Sequence, residues 1–258
     1  MSVLDKIVES KKDEVRKRKT DVPVESFVEK IRIGRNCFLT KKPDEVQIIA
    51  EIKRASPSKK NIAPDLIPEE KALQYYKGGA SAVSVLTDYP FFKGTLDDFN
   101  KVKLSVDIPV LRKDFIIDEY QVYESAYYGA DAVLLIAKIL TKDQLKYLYN
   151  KSVELGMIPF VEIYGAEDLE KTDEIKNAFI GINNRNLQSF ETSLDNVLFM
   201  SEKLDSSNIP VSLSGISSAD DVYYLFKRGI NNFLIGEYLS RNNDSSEKIA
   251  EIIEKCRT

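Results

Sequence analysis

The 258-residue chain contains no histidine. That absence removes the Ser-His-Asp and Cys-His arrangements, histidine-ligated metal sites and any imidazole acid or base. Proton chemistry must then fall to Lys, Glu, Asp, Tyr or Cys. Cysteine is scarce as well. Cys37 and Cys256 stand near opposite ends with no Cys-x-x-Cys spacing, so neither a disulfide framework nor a zinc site is indicated. No apolar run approaches the roughly 20 residues needed to cross a bilayer, and the N-terminus lacks the charged-then-apolar layout of a signal peptide. The net charge of −4 has both signs interspersed, so no basic stripe marks a nucleic-acid partner. Linkers rich in Pro, Gly or Ser and low-complexity segments are also missing. These absences predict a soluble, cytoplasmic protein with neither a nucleic-acid nor a membrane partner. Nothing in the sequence marks an oligomer interface.

What the sequence does have is a regular alternation. From Val46 onward, short apolar and β-branched runs predict strands at about 46–53, 82–87, 108–113, 131–137, 158–163, 179–183, 210–214 and 232–236. Between them lie longer stretches, including Glu69 to Gly78, Asp118 to Tyr128, Lys142 to Leu155, Ala166 to Asn177, Leu194 to Leu204 and Ala219 to Arg228, most with helical spacing. Eight strand–helix units predict an α/β fold, a (β/α)8 TIM barrel, as one domain over residues 1–258. An open doubly wound sheet is the alternative, disfavoured because no Gly-x-Gly-x-x-Gly turn follows the first strand. Residues 1–45 form an N-terminal helical extension. Its early apolar spacing, beginning at Leu4-Asp-Lys-Ile7, predicts one buried stripe, while the charged run Glu9 to Lys19 predicts a solvated face.

In such a barrel, sites are built on the C-terminal rim of the strands. The first strand ends in Glu51-Ile-Lys-Arg-Ala-Ser-Pro-Ser58, where Glu51 and Lys53, two apart, share a face. Lys113, Lys138, Glu162, Asn183 with Arg185, and Ser214 end other strands. Acids and bases converging without histidine suit an anionic small molecule whose chemistry needs both a proton donor and a proton acceptor. Ser214-Gly215 and Gly236-Glu237 end strands seven and eight, where backbone N–H groups of short loops meet a phosphate, and Ser56 adds a hydroxyl. Phe92, Phe115, Leu134, Leu187 and Leu234 lie at or just past strand ends, either as core or as an apolar wall for a flat ligand moiety.

These motifs, with Ser84-Val-Leu-Thr-Asp88, Phe91-Phe-Lys-Gly94, Arg112-Lys-Asp-Phe-Ile116, Gly129-Ala-Asp-Ala-Val-Leu-Leu135, Val161-Glu162, Gly181-Ile-Asn-Asn-Arg-Asn-Leu187, Ser214-Gly-Ile216 and Ile235-Gly-Glu237, resemble the indole-3-glycerol-phosphate synthase family in order and along essentially the whole chain. The resemblance implies closure of the indole ring of 1-(2-carboxyphenylamino)-1-deoxyribulose 5-phosphate in tryptophan biosynthesis, with loss of carbon dioxide and water and with no cofactor or metal. It assigns Lys113 as general acid, Lys53 to the substrate carboxylate and the later dehydration, and Glu51 and Glu162 to proton removal and charge stabilisation. It assigns Asn183 and Arg185 to substrate orientation. Ser56, Gly215 and Gly236 match the phosphate site, and Phe92, Phe115, Leu134, Leu187 and Leu234 the apolar wall. A lysine that releases a proton near neutral pH needs a lowered pKa, which burial or a neighbouring cation such as Lys53 would supply.

Two positions depart from the family pattern. Leu213 stands where a glutamate is usual, and by strand parity it points inward, so one site carboxylate is missing. Lys60 replaces a common glycine in the loop after Ser56. The first departure keeps a phosphate-binding barrel without turnover among the readings, beside another phosphosugar isomerase barrel.

Overall fold

Short strands that are apolar on both faces can be covered only by helices, and strand–helix alternation makes them parallel. The structure, a computed structural model, describes residues 2–31, 38–39, 44–186 and 191–257. Its strands are β1 Gln47–Ile52, β2 Ala82–Leu86, β3 Val110–Lys113, β4 Ala132–Ile136, β5 Ile158–Ile163, β6 Phe179–Asn183, β7 Ile209–Leu213 and β8 Asn232–Ile235. Each pairs in parallel with the next, and β8 returns to β1 to close the barrel. All eight expected strands form, with ends within two residues of those read from the sequence.

Alternation along each strand sorts the side chains. Ile49, Leu111, Leu134, Phe160, Phe179, Val211, Leu213 and Leu234 fill the barrel interior. Their neighbours Ile48, Ala50, Val83, Val133, Val161, Ile180 and Phe233 belong to the separate cluster under the outer helices. Phe38 joins the interior cluster, edge-on to Phe160 and Phe179 at 6.1 and 5.9 Å. The inward row continues upward into Glu51, Lys53, Lys113, Glu162 and Asn183. A period of two is therefore what carries these charges to one mouth.

The helices are α1 Val3–Asp21, α2 Glu25–Val28, α3 Pro68–Lys77, α4 Tyr89–Phe92, α5 Leu96–Ser105, α6 Glu119–Tyr127, α7 Lys142–Glu154, α8 Ala166–Glu170, α9 Asp195–Ser201, α10 Ala219–Phe226, α11 Glu237–Arg241 and α12 Ser245–Arg257. The helical stretch expected over 166–177 ends at Glu170. Beyond it Lys171 sends its ammonium to the carbonyls of Ala137 and Leu140 at 2.7 and 2.9 Å, and Thr172 bonds back to the Leu169 carbonyl. Local turns and the tertiary bonds of Lys171 there replace the helical ladder.

A capping box of Ser2 and Asp5 starts α1, and its buried stripe is Ile7, Lys11 and Val15. The stripe was expected, but a lysine within it was not. The charged run is only partly solvated, because Lys11 is 1 % exposed and touches Asp88 at 3.1 Å, Asp114 at 2.9 Å and Glu14 at 2.8 Å. Arg18 and Lys19 add contacts to Glu124 and Asp118, and Tyr120 donates to the Arg18 and Val22 carbonyls. Through these bonds α1 is fastened beside the barrel mouth.

Candidate active site

The mouth opens into a cavity of about 1400 Å³. Glu51, Lys53, Ser56, Phe92, Lys113, Phe115, Leu134, Glu162, Asn183, Arg185, Ser214, Gly215, Leu234, Gly236 and Glu237 all line it, as does Lys138. Leu187 lies outside the described residues. One wall comes from α1, through Leu4, Ile7 and Val8.

At the cavity floor two carboxylates face two ammoniums. Lys113 donates to Glu162 Oε2 at 3.2 Å and stands 4.0 Å from Glu51 Oε2. Lys53 approaches Glu51 Oε1 at 2.5 Å, a close ion contact outside hydrogen-bond geometry, so that oxygen accepts no hydrogen bond. Asn183 donates through Nδ2 to Glu162 Oε1 at 2.9 Å and accepts the Arg185 N–H at 2.9 Å. Asn196 in turn donates to the Asn183 carbonyl, so α9 steadies the tip of β6.

These contacts reverse one expectation. Burial acts to lower the Lys113 ammonium, but Glu162 and Glu51 outweigh it, and the net shift is upward from the ordinary lysine value. Lys113 therefore rests charged at neutral pH. For Glu162, burial acts to raise the carboxyl, yet Lys113, Tyr164 and Asn183 hold it below its ordinary value. The resting arrangement is an ammonium–carboxylate pair, with the proton on Lys113 and the negative charge on Glu162.

The loops proposed for phosphate contact sit along the same mouth. Ser214 and Gly215 are consecutive residues with positive φ, +64° and +84°. Glycine takes that geometry freely, and Asn184 holds the Ser214 carbonyl at 3.1 Å. At Gly236 the constraint is space, since a Cβ there would fall 2.4 Å from Glu51 Oε1 and 3.2 Å from Lys53 Nζ. Ser56 is half-buried on the loop after β1, with its hydroxyl 3.3 Å from that of Ser58. Across the mouth Lys59 reaches Glu237 at 2.6 Å and Arg241 reaches it at 3.0 Å.

The apolar wall is also in place. Phe92 and Phe115 lie with ring centroids 5.9 Å apart. Asp88 caps α4 through the Phe91 N–H, and Asp114 accepts the Phe115 N–H, so two buried carboxylates set the backbone of both aromatic segments. Leu213 points inward as expected, is 2 % exposed, and pairs in register with Asn183 on one side and Leu234 on the other. At that stretch of the floor a leucine stands in place of a carboxylate. Lys60 is exposed on its loop and is absent from the positive-φ residues, so it needs no glycine-like backbone.

Sequence reading missed several contributors. Tyr164 follows Glu162 by two residues on the inward parity, lines the cavity, and has its phenol raised well above its ordinary value by burial and by Glu162. Parity alone pointed to it. Arg54 clamps the loop after β1 by a bidentate contact to Asp98 at 2.7 and 3.0 Å and by bonds to the Leu66 and Lys93 carbonyls. Nothing in local spacing announces a pair 44 residues apart.

Fold and site define a (β/α)8 barrel whose C-terminal mouth holds two lysines against two glutamates. A family model described as indole-3-glycerol phosphate synthase matches residues 4–252, and the chain belongs to that family. It is similar to the indole-3-glycerol phosphate synthase of Neisseria meningitidis serogroup B, 40 % identical over 97 % of this chain and 98 % of the relative. The protein of that name from Desulfosudis oleivorans is 46 % identical over 80 % of this chain and 78 % of the relative. Among solved structures, 3-hexulose-6-phosphate synthase from Salmonella typhimurium matches with a TM-score of 0.65 at 14 % identity, covering 81 % of this chain and 98 % of that one, a likeness of fold.

Proposed function

We propose that the chain is an indole-3-glycerol-phosphate synthase, a carbon–carbon lyase of the carboxy-lyase type. It closes the indole ring of 1-(2-carboxyphenylamino)-1-deoxyribulose 5-phosphate in tryptophan biosynthesis, acting in the cytoplasm. The observation that carries this reading is Lys113, held charged between Glu162 and Glu51 on the floor of a cavity with an aromatic wall.

As the aryl carbon bearing the carboxylate attacks the ribulose carbonyl carbon, the carbonyl π electrons move to oxygen, and Lys113 supplies the proton that makes it a hydroxyl. The ring nitrogen then carries the positive charge, which Glu162 and Glu51 stabilise. Departure of carbon dioxide leaves its bonding electrons in the ring and neutralises that charge. The hydroxyl next leaves as water, taking a proton from Lys53, while a carboxylate removes the proton whose loss completes the indole. Lys113 and Lys53 supply the two protons, a carboxylate accepts one, and Glu162 and Glu51 stabilise the positive charge between them.

Arg185 and Asn183 orient the substrate, the arginine fork suiting its carboxylate. Ser56, Ser214, Gly215, Gly236 and Glu237 frame the phosphate end. Phe92, Phe115, Leu134 and Leu234 take the aryl ring, with Leu187 assigned there by resemblance alone. The test is indole fluorescence developed from this substrate without added metal, beside a Lys113→Met control. Product that depends on Lys113 supports the reading. Saturable binding with no product would replace it with a binding-only barrel.

A further inference from the structure

The tip of β1 is held in an unusual way. Its ladder to β2 runs as far as Ile52↔Val85, whereas its ladder to β8 ends at Ala50↔Ile235. Glu51 and Lys53 therefore overhang β8, and the backbone groups freed on that side need other partners. Side chains supply them. Ser240 donates its hydroxyl to the Glu51 carbonyl at 2.9 Å and accepts the Lys53 N–H at 3.2 Å. Tyr75, fully buried on α3, donates to the same Glu51 carbonyl at 3.1 Å, and its oxygen lies 3.4 Å from Ser240 Oγ.

Ser240 sits on α11 one turn beyond Gly236, and its N–H bonds to the Gly236 carbonyl at 2.8 Å. Gly236 is the residue whose missing Cβ makes room for Glu51 Oε1 and Lys53 Nζ. This short helix thus meets the Glu51–Lys53 pair twice: against the side-chain charges at its start, and on their backbone one turn later. A displacement of α11 would disturb both contacts.

We propose that Ser240, with Tyr75, is a positioning residue for Glu51 and Lys53, and that α11 is the lever through which an anion held at Gly236 sets that pair. The proposal rests on the reading of Gly236 as part of the phosphate end of the site. Neither side chain touches the reacting atoms. Both act by fixing where the carboxylate and the ammonium stand, and small misplacements of such groups are costly.

The test compares the full chain with Ser240→Ala, Tyr75→Phe, the double variant and Ser240→Thr. In the indole assay the double variant should lose about 10- to 100-fold in kcat with KM little changed, the single variants should lose less, and Ser240→Thr should keep most activity. Thermal midpoints measured alongside separate this from unfolding. Wild-type kcat in a folded double variant would overturn the positioning role. The lever has its own readout: lysines are reductively methylated with 13C, and the Lys53 resonance, assigned by Lys53→Arg, is followed on addition of inorganic phosphate. The resonance should shift in the wild type and lose that response in the double variant. No shift in either protein, or an equal shift in both, would overturn the lever. If the wild type makes no indole, the proposed function fails, and this resonance still decides the inference.

Discussion

Lys113 and Asp114 are neighbours in sequence, yet they belong to two charge clusters of opposite character. Lys113 reaches into the cavity from the end of β3, whereas the Asp114 carboxylate is buried against Lys11 and Arg112, and Arg112 also holds Glu124. In that hidden cluster almost every valence is filled. Arg112 makes five hydrogen bonds, to Thr87, Gln121, Ser125, Asp114 and Glu124. In the cavity cluster Lys113 makes one hydrogen bond at 3.2 Å, and Glu51 Oε1 is held only by the ion contact to Lys53 at 2.5 Å. A saturated buried cluster resists change and fixes geometry, whereas an under-satisfied one keeps donors and acceptors for a ligand. The two clusters have similar ingredients and differ in what is left over.

Breaking the cavity cluster should have the largest effect on turnover. Lys113→Met should lower kcat by at least about 100-fold while the thermal midpoint falls less than in Lys11→Met, because Lys53 still faces Glu51, read by the indole assay and by calorimetry. The hidden cluster should respond in the opposite sense. Lys11→Met leaves Asp88 and Asp114 buried without their shared cation and should cost about 3–5 kcal/mol in chemical denaturation, with most turnover kept per folded molecule.

The two clusters also set the pH response. Burial acts to raise Asp114, but Lys11 and Arg112 hold it well below the usual carboxylate range, and Glu162 is likewise held below its ordinary value. Carboxylates depressed in the folded state contribute stability above their unfolded value, about 4, and lose it as pH falls through the folded one. Stability should therefore hold from neutrality down to about pH 4 and fall below it, with Lys11→Met flattening that loss. At the alkaline end, Lys113 is raised by its carboxylates, so its contribution is full below about 10.4 and is lost as pH rises through the higher folded value. Glu162→Gln removes the larger of those attractions and should move the alkaline limb of kcat/KM to lower pH.

Finer changes sharpen the contrast. Leu213→Glu restores a carboxylate to the cavity floor beside Asn183 and should raise kcat a few-fold, and an unchanged or lower kcat would make the leucine a neutral or favourable replacement. The smallest effect belongs to an exposed pair at the mouth. Lys59→Ala removes the contact to Glu237 and should change stability by no more than about 1 kcal/mol in denaturant titration.

The sequence made the cavity cluster legible and left the hidden one obscure, for physical reasons. Strand parity is local, so Glu51, Lys53, Lys113, Glu162, Asn183 and Leu213 announce their shared direction from spacing of two, and Tyr164 carried the same unread signal. Helix α5 also had a local mark, the Thr95–Asp98 capping box, although spacing alone did not single it out. Lys11 had no such mark, because within a charged helix only its contacts to Asp88 and Asp114 distinguish it from Lys12, which is half-exposed. Ser240 and Tyr75 meet Glu51 across separations of 189 and 24 residues, which the closed barrel creates and no local pattern encodes.

The most direct test of the contrast is one paired measurement on Lys113→Met and Lys11→Met: turnover per folded molecule and thermal midpoint for each, in the same buffer. The account predicts that Lys113→Met loses turnover with the smaller loss of midpoint, while Lys11→Met shows the larger loss of midpoint and keeps most turnover. The reverse assignment, or equal losses of both quantities in both variants, would contradict it.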